Sequence, residues 1–220
     1  MVTISQVVKE ILDSRIFLQE AISRNIVSYN LLAIHLKPEI EAEIGKTVKT
    51  SAIVMALRRQ TERIEQTIKK PTFSYSIETI KTNICYIVLE ESSTLLNNLQ
   101  NLYSIIDFKK GGILNIIQGN YEVAIITNHK YKNKLLEILC DEKVLDTLDN
   151  LVSISLTYSK KFLFTPGALY DVLRFITWQN INMIDIILTS TEMSLIIDKK
   201  DLMKCYNVLG KFIEISKKTN

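Results

Sequence analysis

The sequence predicts an α+β chain: a small all-α module followed by two copies of a βαββαβ unit. Three observations carry this. Apolar residues recur at helical spacing up to residue 71, they alternate or form short strand-like blocks beyond it, and the order of strand and helix signals starts again near residue 151. The expected boundaries are 1–71 for the helical module, 80–150 for the first copy and 151–220 for the second.

In the first module Ile4, Val7, Val8, Ile11 and Leu12 follow i, i+3, i+4, i+7, i+8 spacing and form one stripe of an amphipathic helix. Phe17, Leu18, Ala21 and Ile22 repeat that pattern after Asp13-Ser14. From Tyr29, Leu32, Leu36, Ile40 and Ile44 recur every four residues, with Pro38 as the expected kink and Gly45 as the stop. Thr50 or Ser51 can cap a fourth helix, expected from Ala52 to about Ile68. Ile53, Leu57, Ile64 and Ile68 share its buried face, and Arg58, Arg59, Arg63, Lys69 and Lys70 project from the other side.

Net charge is +3, and it is unevenly distributed. Residues 1–71 carry 11 Lys and Arg against 8 Asp and Glu, whereas 72–220 carry 16 against 16. A polyanion would therefore be met in the first module. A compact helical unit whose last helix shows an arginine face resembles a helix-turn-helix DNA-binding module, with Lys46, Lys49, Arg58, Arg59 and Arg63 as the candidate nucleic-acid contacts. The alternative is a solvated helix face laced with pairs such as Arg58 with Glu62.

Beyond Pro71, Ile84 to Leu89 reads as a buried strand, and Leu95, Leu96, Leu99, Leu102 and Ile106 as a helix stripe. ILNIIQ and YEVAIIT are strands joined by a turn at Gly119-Asn120. Tyr131 to Cys140 is a helix, and a strand starts at Leu151. In the second copy, strand residues run to Phe164, and the turn Thr165-Pro166-Gly167 leads into a helix with Leu169, Val172, Leu173 and Ile176 on one stripe. Strands in INMIDIIL and EMSLIID and a helix over Asp201 to Leu209 follow. A split βαββαβ unit packs its helices on one face of an antiparallel sheet, the ferredoxin-like arrangement, which by itself assigns no function.

The wording of the second copy is more specific: Phe164-Thr165-Pro166-Gly167-Ala168-Leu169, then Ile181-Asn182-Met183, then Thr189-Ser190-Thr191-Glu192 leading into an apolar strand. It resembles the ACT domains of aspartate kinases, of the tandem type. The resemblance covers residues 80–215 in organisation and is strongest over 164–197. It implies an amino-acid effector site at Thr165, Pro166, Gly167, Ala168, Leu169, Asn182, Thr189, Ser190, Thr191 and Glu192. The interval from Ile181 to Glu192 is two residues longer than in the kinase pattern. The first copy has Glu90-Glu91-Ser92-Ser93 in place of Pro-Gly, which marks it as the degenerate partner. Physically, Gly167 permits close backbone approach, and a helix starting at Ala168 offers free N–H groups to a carboxylate. The plain alternative is that Pro166-Gly167 is only a turn and Asn182 only a strand entry.

Other classes find no support. With six Gly and no GxGxxG or P-loop run, the chain lacks the phosphate-binding glycines of a kinase. No nucleophile stands in a motif with a base, so no enzyme is expected. Cys85, Cys140 and Cys205 are odd in number and widely spaced, and His35 and His129 lack partners at ligand spacing, so neither disulfide, metal nor cofactor is expected. No apolar run reaches ~18 residues, and a cytoplasmic address is expected. The leading expectation is a homodimeric, amino-acid-responsive regulator, with DNA binding as one output. A regulatory subunit docking on a biosynthetic enzyme and a purely structural dimerisation protein are the alternatives.

Overall fold

The computed structural model describes residues 3–67 and 73–218. The chain divides into two compact units, Met1–Pro71 and Thr72–Asn220.

The first unit is built from α1 (Ile4–Ser14), α2 (Ile16–Ser23), α3 (Tyr29–Ile44) and α4 (Thr50–Thr67). The Thr3 hydroxyl caps α1 by accepting the Gln6 N–H at 3.3 Å, and Gly45 ends α3 in the left-handed region at φ 73°. Pro38 lies within α3 without dividing it. Val8, Leu12, Leu36, Ile40, Ile53 and Leu57 form the centre of one core. The expected stripe is therefore buried at Ile53 and Leu57. The side chain of Ile64, and Ile68, Lys69 and Lys70 altogether, lie outside the described residues. Lys46, Lys49, Arg58, Arg59 and Arg63 are all exposed. Arg63 donates to Asp13 at 2.5 Å, an ion pair between α4 and α1.

The second unit carries one antiparallel sheet of six strands in the order β2-β3-β1-β4-β6-β5. The strands are β1 (Ser76–Glu90), β2 (Leu114–Gln118), β3 (Glu122–Asn128), β4 (Val144–Thr157), β5 (Met183–Leu188) and β6 (Glu192–Asp198). The helices are α5 (Leu95–Leu102), α6 (Lys132–Ile138), α7 (Ala168–Thr177) and α8 (Leu202–Lys218). Two βαββαβ halves are present, but they share strands. Ile84–Glu90 of β1 pairs with β3, Leu151–Thr157 of β4 pairs with β6, and β1 and β4 pair with each other from Ser76↔Thr157 to Leu89↔Val144. The fourth strand of the second half is thus Ser76–Lys81, upstream of everything else in that half.

The expected boundaries 80–150 and 151–220 differ from this arrangement, and the reason is local. A register shift between Ile77 and Thr79 takes Glu78 out of the ladder and spaces Ile77 and Ile80 three apart, which erases the period-2 signal. A second shift between Val88 and Leu89 does the same at Leu145. The shared strands change allegiance at Asn83 and Asn150, both left-handed at φ 55° and 57°, a conformation Asn tolerates better than most residues. Two further expectations shift. β4 ends at Thr157, so Phe164 is not in a strand, and a 3-10 turn over Lys160–Phe162 follows. The last helix extends to Lys218 rather than Leu209.

All four helices cover one face. Val152, Ile154, Leu156, Met193, Leu195 and Ile197 pack under α7 and α8, and Cys85, Ile87, Leu89, Val123 and Ile125 under α5 and α6. On the opposite face Ile84, Ile126, Leu151 and Ile196 are buried together, with Ile113, Ile184 and Ile187 packed against them. Those residues come from both halves, so the sheet curls and closes its helix-free face on itself.

Candidate ligand site

The turn Thr189–Glu192 joins β5 to β6 and is held from several sides. The Thr189 N–H donates to the Glu192 carbonyl at 2.8 Å, and the Glu192 N–H donates back to the Thr189 hydroxyl at 3.1 Å. The Tyr158 hydroxyl lies 2.7 Å from the Thr189 carbonyl and 2.9 Å from that of Glu192. Burial, and secondarily the Glu192 charge, raises the pKa of that phenol, which keeps it a donor.

The residues expected to form one site do not all come together. Pro166 and Gly167 are exposed, Gly167 is left-handed at φ 82°, and Ala168 is buried on the helix side of the sheet. The Thr165 hydroxyl donates to the Lys161 carbonyl at 2.8 Å and so is occupied within its own loop. Asn182 precedes β5 beside Met183, which pairs with Ile197, whereas the 189–192 turn follows the other end of that strand. Six residues at ~3.4 Å each put Asn182 about 20 Å from the turn, so a single small ligand within one chain does not touch both.

Thr189 and Glu192 instead line a cavity of about 280 Å³ on the helix-free face. Its floor is polar: Lys81 of β1, Ser153 and Ser155 of β4, and Ser194 of β6. Its opposite wall comes from the first half, at Phe108 and Gly112 to Asn115. Ser153 and Ser155 are only 6% and 5% exposed, in positions that on the same face of the sheet are filled by Leu151 and Ile196 further along. The Ser155 and Ser194 hydroxyls are 2.7 Å apart, and Ser194 donates onward to Glu192 Oε1 at 3.3 Å. Sequence reasoning misses Lys81, Ser153, Ser155, Ser194 and Asn115. The only sequence signal for them is serine recurring at every second position of a strand whose other members are apolar, LVSISL.

In the first half the start of α5, which corresponds to the start of α7 in the second, is filled from within. Glu142, 8% exposed, accepts from Ser92 at 2.5 Å, Thr94 at 2.9 Å and the Asn98 amide at 2.8 Å. These donors hold its carboxyl below the usual glutamate range, Ser92 foremost. The carboxylate therefore sits at the start of α5. Glu142 precedes Asn150 by eight residues, and Tyr75 precedes Asn83 by eight, so in the second half this place belongs to Tyr75, buried among Phe73, Phe162 and Phe212. No group of three or more His, Cys, Asp or Glu placed to hold a metal occurs among the described residues.

No protein-family model and no curated protein matches the sequence. Solved structures do match. The regulatory subunit of aspartate kinase from Thermus thermophilus, ligand free, aligns with 63% of this chain and 97% of its own at 12% identity and a TM-score of 0.52. The corresponding subunit from Thermus flavus aligns with 65% of this chain and 99% of its own at 12% identity and a TM-score of 0.51. The aspartate kinase of Clostridium acetobutylicum aligns over 63% of this chain but only 35% of its own length, at 13% identity and a TM-score of 0.52. The likeness is one of fold. The α+β architecture is thus shared with aspartate kinase regulatory domains, as the resemblance of residues 164–197 implies. No helix among the described residues is long and apolar enough to cross a membrane.

Proposed function

We propose that this chain is a non-enzymatic, amino-acid-sensing regulatory protein whose sensor is the unit over residues 72–220. The observation that carries the reading is the polar-floored cavity walled by both halves of one sheet, because a ligand there bears on the relative position of the halves. The likeness in fold to regulatory subunits supports it as an analogy. Thermal denaturation of the full chain against the twenty amino acids tests it: at least one should raise the midpoint in a saturable way. No shift with any of them at millimolar concentration refutes it.

As output we propose DNA binding by the first unit. Arg58 and Arg59, exposed on α4, and Lys46 and Lys49, exposed just before it, support this. Arg63 contributes less, since Asp13 already pairs with it. Arg58→Ala with Arg59→Ala should lower the log-log salt slope of DNA binding by about 0.9 for each phosphate that is no longer neutralised. Wild-type protein that retards no DNA at low salt transfers the output to docking on an enzyme. We also propose a homodimer: β2 and β5 are edge strands, and edges invite pairing with a second copy. Light scattering that reports a monomer at micromolar concentration refutes it.

A further inference from the structure

We infer that the cavity on the helix-free face takes a free α-amino acid with an uncharged aliphatic side chain, gripped through its backbone ammonium and carboxylate by Glu192 and Lys81. This rests on the amino-acid-sensing reading and specifies both the place and the class of ligand. The place is not the Thr165 to Leu169 turn, whose residues do not line the cavity.

Charge decides the class. Among the described residues that line the cavity, Lys81 is the one cation and Glu192 the one anion. Neither makes an ion pair with another described residue. A ligand that is only an anion would satisfy Lys81 and face Glu192 across the same small space, and a cation would meet the reverse problem. A zwitterion satisfies both, and buried or half-buried charges are stable when paired. Once the zwitterion is paired, no charge remains in the lining for an acidic or basic side chain.

Geometry allows the pairing. Lys81 is opposite Ser153 on β4, Ser153 is opposite Ile196 and Thr157 is opposite Glu192 on β6. Two strand spacings across and four residues along separate the two Cα atoms by about 16 Å. That distance leaves both extended side chains room for a small zwitterion between their tips. The row of Ser153, Ser155 and Ser194 lies between them and supplies hydroxyls that donate or accept as the ligand requires. Opposite this floor stand Phe108 and Ile113, and Ile187 lies beside Ser194 within it; these apolar side chains suit an aliphatic ligand side chain and leave an ionic one desolvated. The volume of about 280 Å³ is near the lower end of small-molecule sites.

The test is titration calorimetry on the full chain with leucine, isoleucine, valine, lysine, arginine, aspartate and glutamate, and with N-acetyl-leucine and leucinamide. Aliphatic amino acids should bind at least tenfold more tightly than the four ionic ones. Blocking either backbone charge should cost at least tenfold, as should Lys81→Gln and Glu192→Gln in otherwise folded protein. Gly167→Asp, outside the cavity lining, should leave binding unchanged and so serves as the control. Tightest binding of an ionic amino acid overturns the inference. So does amino-acid binding that survives Lys81→Gln and Glu192→Gln, which leaves the sensing reading intact with its site elsewhere. Absence of binding by every amino acid overturns both.

Discussion

Truncating Phe162 to alanine should be the most damaging single change in the sheet unit, and its cost tests the strand exchange directly. The ring is 2% exposed, stacks on Tyr158 at 4.1 Å between centroids and meets Phe73 and Tyr75 edge-on at 5.6 Å and 6.0 Å. A buried Phe→Ala change costs about 3–5 kcal/mol, and the loss of favourable ring pairs, each worth about 0.5–1.5 kcal/mol and partly counted in that range already, places this one toward its top or slightly above it. The expected loss is therefore about 4–6 kcal/mol, close to the lower end of total stability for a domain. At about 2–4 °C per kcal/mol for this chain length, the melting midpoint should fall by roughly 8–24 °C. Urea titration followed by far-UV circular dichroism measures it. Phe164→Ala is the control, because that ring is 86% exposed two residues away and should cost about 0.5 kcal/mol or less. The sharper readout is the cycle of Phe73→Ala and Phe162→Ala, which should show coupling of about 0.5–1.5 kcal/mol. Zero coupling, or equal losses for Phe162→Ala and Phe164→Ala, refutes the claim that the segment ahead of β1 packs into the second half.

Gly167→Ala should cost about 1–2 kcal/mol because its φ of 82° is left-handed, whereas Gly210→Ala, within α8 and with open space around an added methyl, should stabilise by about 0.5–1 kcal/mol; thermal melts compare the two. The Glu142 carboxyl is depressed in the folded state, so its stabilising contribution is complete above the unfolded glutamate value of about 4.3 and fades as pH falls through the lower folded value. The urea midpoints of wild type and Glu142→Gln should accordingly differ at pH 7 and converge below pH ~4; a constant gap refutes the clasp. Burial raises the Cys85 and Cys205 thiols to about 11 and about 12, and Cys140 is exposed, so a thiol reagent at pH 8 should label one cysteine in native protein and three in denaturant.

Every helix of the sheet unit and most strands were legible in the sequence because each presents one regular face to one core. Val172 and Ile176 on α7 and the alternation of Val123 and Ile125 on β3 are of this kind. What escaped was the part of β1 before Lys81 and the part of β4 before Asn150. There a bulged residue breaks the alternation, and the partners lie about 55 to 80 residues away, so neither local period nor local order announces the pairing. The cavity was hidden for a related reason. Its charged residues are separated by more than one hundred positions, and its serines read as interruptions of an apolar strand until the curl of the sheet shows what they face. The Thr165 to Leu169 turn, conspicuous in sequence, lies outside it.

The exchanged strands also set the order in which the molecule can be completed during synthesis. Residues Ser76–Lys81 emerge first, yet their partners from Ser153 to Thr157 follow more than seventy residues later. At about 5–20 residues per second, that stretch waits roughly 4–15 s with its backbone donors and acceptors facing water. The second half cannot close earlier, whatever its own helices do, because its outer strand belongs to a segment made before the first half exists. An amino-terminal fragment ending near residue 150 would carry an unpaired strand with Ile77 uncovered, an invitation to aggregation that the finished chain removes in a single pairing event.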